Sequence, residues 1–67
     1  MDITLNNRPE TFERESITVS ELLELKRFTF RLRVVKVNGI LIPKEKQDST
    51  LIHNGDNVQI LYLMSGG

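Results

Sequence analysis

The chain has 67 residues, nine of them basic and nine acidic, so its formal net charge at neutral pH is zero. A chain of this length forms a single small core, because it buries only about 60% of its extended surface. It contains no cysteine and a single histidine. This composition excludes disulfides and thiolate metal sites, and it leaves no thiol on the chain that could act as a nucleophile.

Membrane and export signals are missing from the sequence. The longest apolar run covers residues 60–64, far short of the roughly 20 residues that a membrane-spanning helix needs. The first seven residues alternate apolar and polar side chains, unlike a secretory signal with its basic start and apolar centre. We therefore expect a cytoplasmic protein that does not contact membranes.

The charges are distributed unevenly. Residues 1–25 contain six acidic and two basic side chains, whereas residues 26–46 contain seven basic and one acidic. A basic segment suits nucleic acid, but its aromatic residues are Phe28 and Phe30 alone, without a stacking pattern. We therefore expect no nucleic acid partner. The preferred interpretation is that the basic side chains lie along solvated strand edges. The second interpretation is that they contact an acidic protein partner.

The first elements form a predicted hairpin followed by a helix. Residues 1–5 alternate apolar and polar side chains, as in a strand with one buried face. Turn residues at 6–9 lead to a short second strand at 11–13, in which Phe12 is the buried anchor.

The helix start is the best-specified local feature. Thr18 as N-cap and Glu21 three positions later form a capping box, and Ile17 and Leu22 form the matching hydrophobic staple. No glycine marks the end of the helix, which we expect near residue 27 or 28.

The third strand is predicted at residues 32–38. Its alternation breaks at Val34 and Val35, which indicates either a bulge or a later strand start. Asn38 and Gly39 predict a tight hairpin turn before a short strand at residues 40–42. His53 adjoins a second predicted turn at residues 54–56, where a histidine is usually solvated, so we expect no catalytic role for it.

The last strand is predicted at residues 57–64. Val58 and Ile60 share one face, and Leu61 and Leu63 share the other. The element order predicts an α+β fold with a mixed four- to five-stranded sheet and one helix packed across one face. Since one helix covers one face only, we expect Leu61, Leu63 and Met64 to form a docking surface for a partner.

The chain ends in Ser65, Gly66 and Gly67. Two glycines after an apolar strand predict a thin, flexible tail at residues 65–67 on a single domain of residues 1–67. Because the last two residues have no Cβ atom, they could enter a narrow enzyme channel. The terminal carboxylate is the group on this tail that could react. A frayed end or residues left by cloning are the alternative interpretation.

Taken in order, these segments resemble the ThiS family of sulfur carriers, which have the ubiquitin-like β-grasp fold. The resemblance covers almost the whole chain and depends on its helix start, its two turns and its terminal glycines: Thr18, Val19, Glu21, Leu22, Leu23, Val37, Asn38, Ile42, Pro43, Gly55, Asp56, Gly66 and Gly67. Gln47 stands where many members carry an aromatic residue, and residues 25–33 lack the glycine that usually separates helix from strand.

The resemblance implies a sulfur carrier for the thiazole ring of thiamin, with catalysis left to partner enzymes. A ThiF-like enzyme would use ATP to adenylate the carboxylate of Gly67. A sulfur donor such as a cysteine desulfurase would then convert it to a thiocarboxylate, and a ThiG-like thiazole synthase would accept the sulfur. Gly66 and Ser65 would thread the tail into these enzymes. The carrier itself would hold no cofactor or metal, and we expect it to be monomeric when free.

Three other interpretations remain open at this point. The small subunit of molybdopterin synthase shares the fold and the Gly-Gly end, although it usually runs longer and has prolines before its tail. A protein-conjugating modifier would use the same activation. From another class, residues 37–43 and 54–61 also resemble a TGS domain, a ligand-binding module that has no need of a free Gly-Gly end.

Overall fold

The computed structural model describes residues 1–27 and 33–62. Its elements follow one another as strands, one α-helix and a short 3₁₀ helix: β1 (Asp2–Leu5), β2 (Arg8–Thr11), β3 (Ser16–Thr18), α1 (Val19–Leu25), β4 (Arg33–Val37), β5 (Ile40–Ile42), the 3₁₀ helix (Lys44–Lys46), β6 (Leu51–His53) and β7 (Asn57–Tyr62). The predicted tail at residues 65–67 lies outside the described residues, and it stays a prediction, as do the predicted domain limits.

The main sheet has five strands in the described residues, in the order β2-β1-β7-β4-β5. β1 and β7 run parallel at its centre, and the other neighbours are antiparallel. The predicted mixed sheet is therefore confirmed. The parallel pair is possible because a long connection that includes α1 separates its two strands.

One face of this sheet packs against α1, and the core lies between them. Its buried side chains come from the three central strands, from α1 and from the two short strands β3 and β6: Ile3, Leu5, Ile17, Val19, Leu22, Leu23, Val35, Val37, Ile52, Val58 and Ile60. The alternation predicted for β1 and β7 is confirmed, since the buried residues of each strand are two positions apart.

The first hairpin turns earlier than predicted. Asn6 and Asn7 adopt positive φ angles of 50° and 66°, as in the two-residue turns that match strand twist. The second strand is thus Arg8–Thr11 and not residues 11–13. Pro9 lies within it opposite Thr4, which is tolerated because β2 is an edge strand and the proline nitrogen can face away from β1.

The start of α1 is confirmed, whereas its predicted end is wrong. The helix begins after the capped Thr18 and ends at Leu25, two or three residues before the predicted boundary. Arg27 follows with a positive φ of 57°, and its backbone N–H donates to the carbonyl of Glu24 at 3.1 Å. A non-glycine residue therefore occupies the left-handed position that glycine usually takes after a helix.

The second hairpin is built on the predicted turn. Asn38 and Gly39 have φ angles of 52° and 81° and join β4 to β5. The pairing of β4 with β7 is continuous from Arg33 to Val37. No bulge therefore interrupts the pairing at Val34 and Val35, whose side chains lie on opposite faces.

A second, two-stranded sheet was not predicted. β3 and β6 pair antiparallel with Ile17 opposite Ile52, and both side chains are fully buried. Between β5 and β6 the chain forms the 3₁₀ helix, after which Gln47 is 7% exposed. The Gln47 carbonyl accepts a hydrogen bond from the Ser20 backbone N–H at 3.2 Å, which ties this loop to the start of α1.

Candidate functional site

Of the predicted site residues, the structure describes Leu61 alone. Leu63, Met64, Ser65, Gly66 and Gly67 lie outside the described residues. Leu61 is the fifth residue of β7 and is 50% exposed. Its predicted place on the open face of the sheet is confirmed, because the neighbouring Ile60 and the nearby Val58 point into the core.

Four further residues share the open face with Leu61, and the sequence analysis did not include them in the docking surface. Val34 of β4 lies directly opposite Leu61. Lys36, on the same side of β4, lies opposite Gln59 of β7 and opposite Leu41 of β5. The turn at Asn38 and Gly39 predicts the pairing of β4 with β5, because a two-residue turn places Lys36 opposite Leu41. The pairing of β4 with β7 joins segments that are distant in the sequence, so this turn does not predict it.

This surface combines apolar side chains with one positive charge. Leu41 is 56% exposed and Leu61 is 50% exposed, while Val34 and Lys36 are half-buried. Val34, Lys36, Leu41, Gln59 and Leu61 are called the docking face below. An exposed apolar patch of this kind on a small domain suits a protein interface.

β7 is held firmly on its way to the tail. On its β1 side, the Asn6 side-chain oxygen accepts a hydrogen bond from the Ile60 backbone N–H at 2.8 Å. The Asn6 backbone N–H donates to the Val58 carbonyl at 2.9 Å. With β4 paired along its other edge, the strand that carries Leu61 is fixed on both sides.

The opposite end of the sheet is closed by a network around Asp56. Its two carboxylate oxygens accept hydrogen bonds from the Asn38 side-chain amide at 3.0 Å and from the His53 backbone N–H at 2.8 Å. The Asn38 side-chain oxygen in turn accepts from the Asn57 backbone N–H at 2.9 Å. These bonds join the turn between β4 and β5 to the turn before β7, so Asn38 and Asp56 fix the register of the docking face.

Ionisable side chains pair on the helix side of the molecule. Arg14 contacts Glu21 at 3.1 Å and Lys26 contacts Glu10 at 2.8 Å. Within residues 1–27 and 33–62, no group of three or more histidine or acidic side chains is placed to hold a metal ion. None of the helices in these ranges is long and apolar enough to cross a membrane.

Comparison with known proteins connects this face and tail to a family. Residues 3–67 match the ThiS family, so the match includes both the docking face and the terminal glycines. The chain belongs to the ThiS family. No individual curated protein gives a significant match.

Solved structures agree with membership of the ThiS family. The chain is similar to the crystal structure of a thiamine biosynthesis protein (ThiS) from Geobacter metallireducens, with a TM-score of 0.91, 36% identity and full coverage of both chains. It is also similar to an NMR solution structure of a thiamine biosynthesis protein from the same organism. That match has a TM-score of 0.79 and 36% identity, and it covers all of this chain and 88% of the other. The β-grasp fold is thereby confirmed.

Proposed function

We propose that this protein is a sulfur carrier in thiamin biosynthesis and that Gly67 holds the sulfur. The observation that supports this most strongly is the family match, which extends through Gly66 and Gly67. The full-length likeness to a thiamine biosynthesis protein (ThiS) supports the same pathway. Catalysis belongs to partner enzymes, and the carrier itself binds no cofactor.

The chemistry begins with activation of a poor electrophile. A terminal carboxylate has a pKa of about 3.5 and is ionised at neutral pH. One of its oxygens attacks the α-phosphate of ATP on a ThiF-like enzyme, pyrophosphate leaves, and the glycine carbonyl becomes part of an acyl adenylate. The carbonyl carbon is then open to attack by a sulfur nucleophile.

Sulfur reaches the glycine from a persulfide that a donor such as a cysteine desulfurase supplies. The terminal persulfide sulfur attacks the carbonyl carbon and AMP leaves, which forms an acyl disulfide. A second thiol cleaves its S–S bond and becomes part of a disulfide, so the outer sulfur stays on Gly67 as a thiocarboxylate. A ThiG-like thiazole synthase accepts this sulfur.

The body and the tail have separate tasks in this proposal. Leu61, together with Leu63 and Met64, docks the body on the partner enzyme. Ser65 and Gly66 thread through a narrow channel, and Gly67 reacts. The protein is a cytoplasmic monomer when free, and it makes no contact with nucleic acid or membranes.

ATP–pyrophosphate exchange tests the activation step. The protein is incubated with a ThiF-like adenylating enzyme, ATP and labelled pyrophosphate. Exchange is expected with the full chain and is expected to vanish when Gly67 is deleted, because the deletion moves the carboxyl group back by about 3.5 Å of extended chain. Equal exchange with the truncated protein would contradict the proposal.

A further inference from the structure

The docking face is continuous across three strands of the sheet. Lys36 lies between Gln59 on β7 and Leu41 on β5, and Val34 lies opposite Leu61. Side chains that face each other on paired strands have Cβ atoms about 5 Å apart. Leu41 of β5 therefore lies directly beside Lys36, and Leu61 of β7 lies diagonally from it, next to Val34.

The setting of Lys36 favours contact with a partner. Its side chain is half-buried, while Leu41 and Leu61 remain about half exposed. A lysine in this position covers its apolar neighbours with its methylene groups and keeps its ammonium group in water. The ammonium group can therefore reach a partner that sits on the leucines.

The charge of this face shows which kind of partner fits. Lys36 is the one charged residue among the five that form the docking face, and none of them is acidic. Neither ion pair within residues 1–27 and 33–62 includes Lys36. A second copy of the chain placed face to face would bring two lysines together, so the surface is poorly suited to self-association.

We propose that Lys36 binds a carboxylate of the adenylating enzyme, at the centre of an interface whose apolar contacts are Val34, Leu41 and Leu61. This inference rests on the proposed function, and it adds the partner's chemistry: an apolar surface with an acidic side chain at its centre. The lysine selects the partner and orients it, and the leucines supply the buried area.

Charge reversal with a matched control tests the role of the lysine. The dissociation constant for the ThiF-like enzyme is measured by calorimetry at low and at high salt. Lys36→Glu is expected to weaken binding by at least about tenfold at low salt, and by less at high salt, because screening reduces charge interactions. Lys44→Glu makes the same charge change on the exposed 3₁₀ helix, and it is expected to change binding little.

A second pair of variants tests the apolar part on one strand. Leu41→Ser is expected to weaken binding by about tenfold. Ile40 is 67% exposed but lies on the other face of β5, so Ile40→Ser is expected to leave the affinity unchanged. Thermal melts of all four variants check that each protein is folded.

Three outcomes would overturn the inference. One is an unchanged affinity for Lys36→Glu, and another is an equal loss for Lys36→Glu and Lys44→Glu, which would mean unspecific attraction. The third is a dimer of the free chain, detected by analytical ultracentrifugation, if Lys36→Glu or Leu41→Ser converts that dimer to a monomer. Each of these leaves wild-type pyrophosphate exchange intact, whereas failure of the wild-type protein to support exchange would overturn the proposed function and this inference together.

Discussion

Thr18 and Glu21 satisfy each other's backbone N–H groups at the start of α1. The Glu21 N–H donates to the Thr18 hydroxyl oxygen at 3.0 Å, and the Thr18 N–H donates to a Glu21 carboxylate oxygen at 2.9 Å. Two donors that would otherwise lack partners at a helix start are thereby paired. A helix of seven residues is too short to be stable by itself, so this cap matters for the core that α1 covers.

Stability should depend on the ionisation of Glu21. The hydrogen bond from the Thr18 backbone holds the pKa of the Glu21 carboxyl below its ordinary value of 4.5, and the Thr18 side chain and Arg14 lower it further. Because the pKa is lower in the folded state, the stabilisation is present above pH 4.5 and is lost as the pH falls through the folded value. Urea unfolding at a series of pH values should show Glu21→Gln approaching the wild-type stability in acid. A constant difference at every pH would contradict this.

Leu22 is the residue of α1 whose truncation should damage the core most directly. It is fully buried beneath the helix, so Leu22→Ala should cost about 2–5 kcal/mol of unfolding free energy by opening a cavity. In a domain of this size that is a large share of the total. Glu24→Ala on the exposed side of the same helix is the control, and its denaturation curve should match the wild type. Similar curves for both variants would show that α1 does not cover the core.

Substitution of Arg27, unlike truncation of Leu22, should stabilise the fold. Its positive φ of 57° is costly for a residue with a side chain. Arg27→Gly should therefore raise the unfolding free energy by about 1 kcal/mol. Arg27→Ala separates this effect from the loss of the charge, because alanine keeps the backbone penalty and should give no gain. Equal gains from both variants would show that the backbone angle is not the cause.

Added bulk in the tail should impair activation of the protein without changing the stability of its fold. Gly66→Val adds a branched side chain where the proposed channel is narrow, so ATP–pyrophosphate exchange should fall steeply while the melting temperature stays unchanged. Ser65→Ala adds no bulk and should retain exchange. Normal exchange with Gly66→Val would show that threading does not require the glycine.

Local chemistry allowed some of these elements to be predicted from the sequence. The helix start at Thr18 and the turn at Asn38 and Gly39 each depend on residues close together in the chain. Alternation along β7 likewise placed Leu61 on the open face. Such features need no knowledge of distant contacts.

The features that sequence analysis missed depend on distant partners or on unusual residues. β3 and β6 are short, and the pairing of Ile17 with Ile52 spans 35 positions. Pro9 was predicted to belong to the turn at residues 6–9, because the edge position of β2, where a proline is tolerated, is not visible from the sequence. Arg27 adopts a positive φ angle at a position where glycine would be expected. Lys36 and Leu41 joined the candidate site only when the register of three strands was known.

The central claim is that sulfur is carried on Gly67, and mass spectrometry of the C-terminal peptide tests it most directly. The protein is incubated with ATP, the ThiF-like enzyme and a persulfide donor, and then digested. The peptide that contains Gly67 should gain the mass difference between sulfur and oxygen, and it should lose it when thiazole synthase and its substrates are added. A C-terminal peptide that keeps its original mass, while the enzymes load a known carrier in parallel, would contradict the claim.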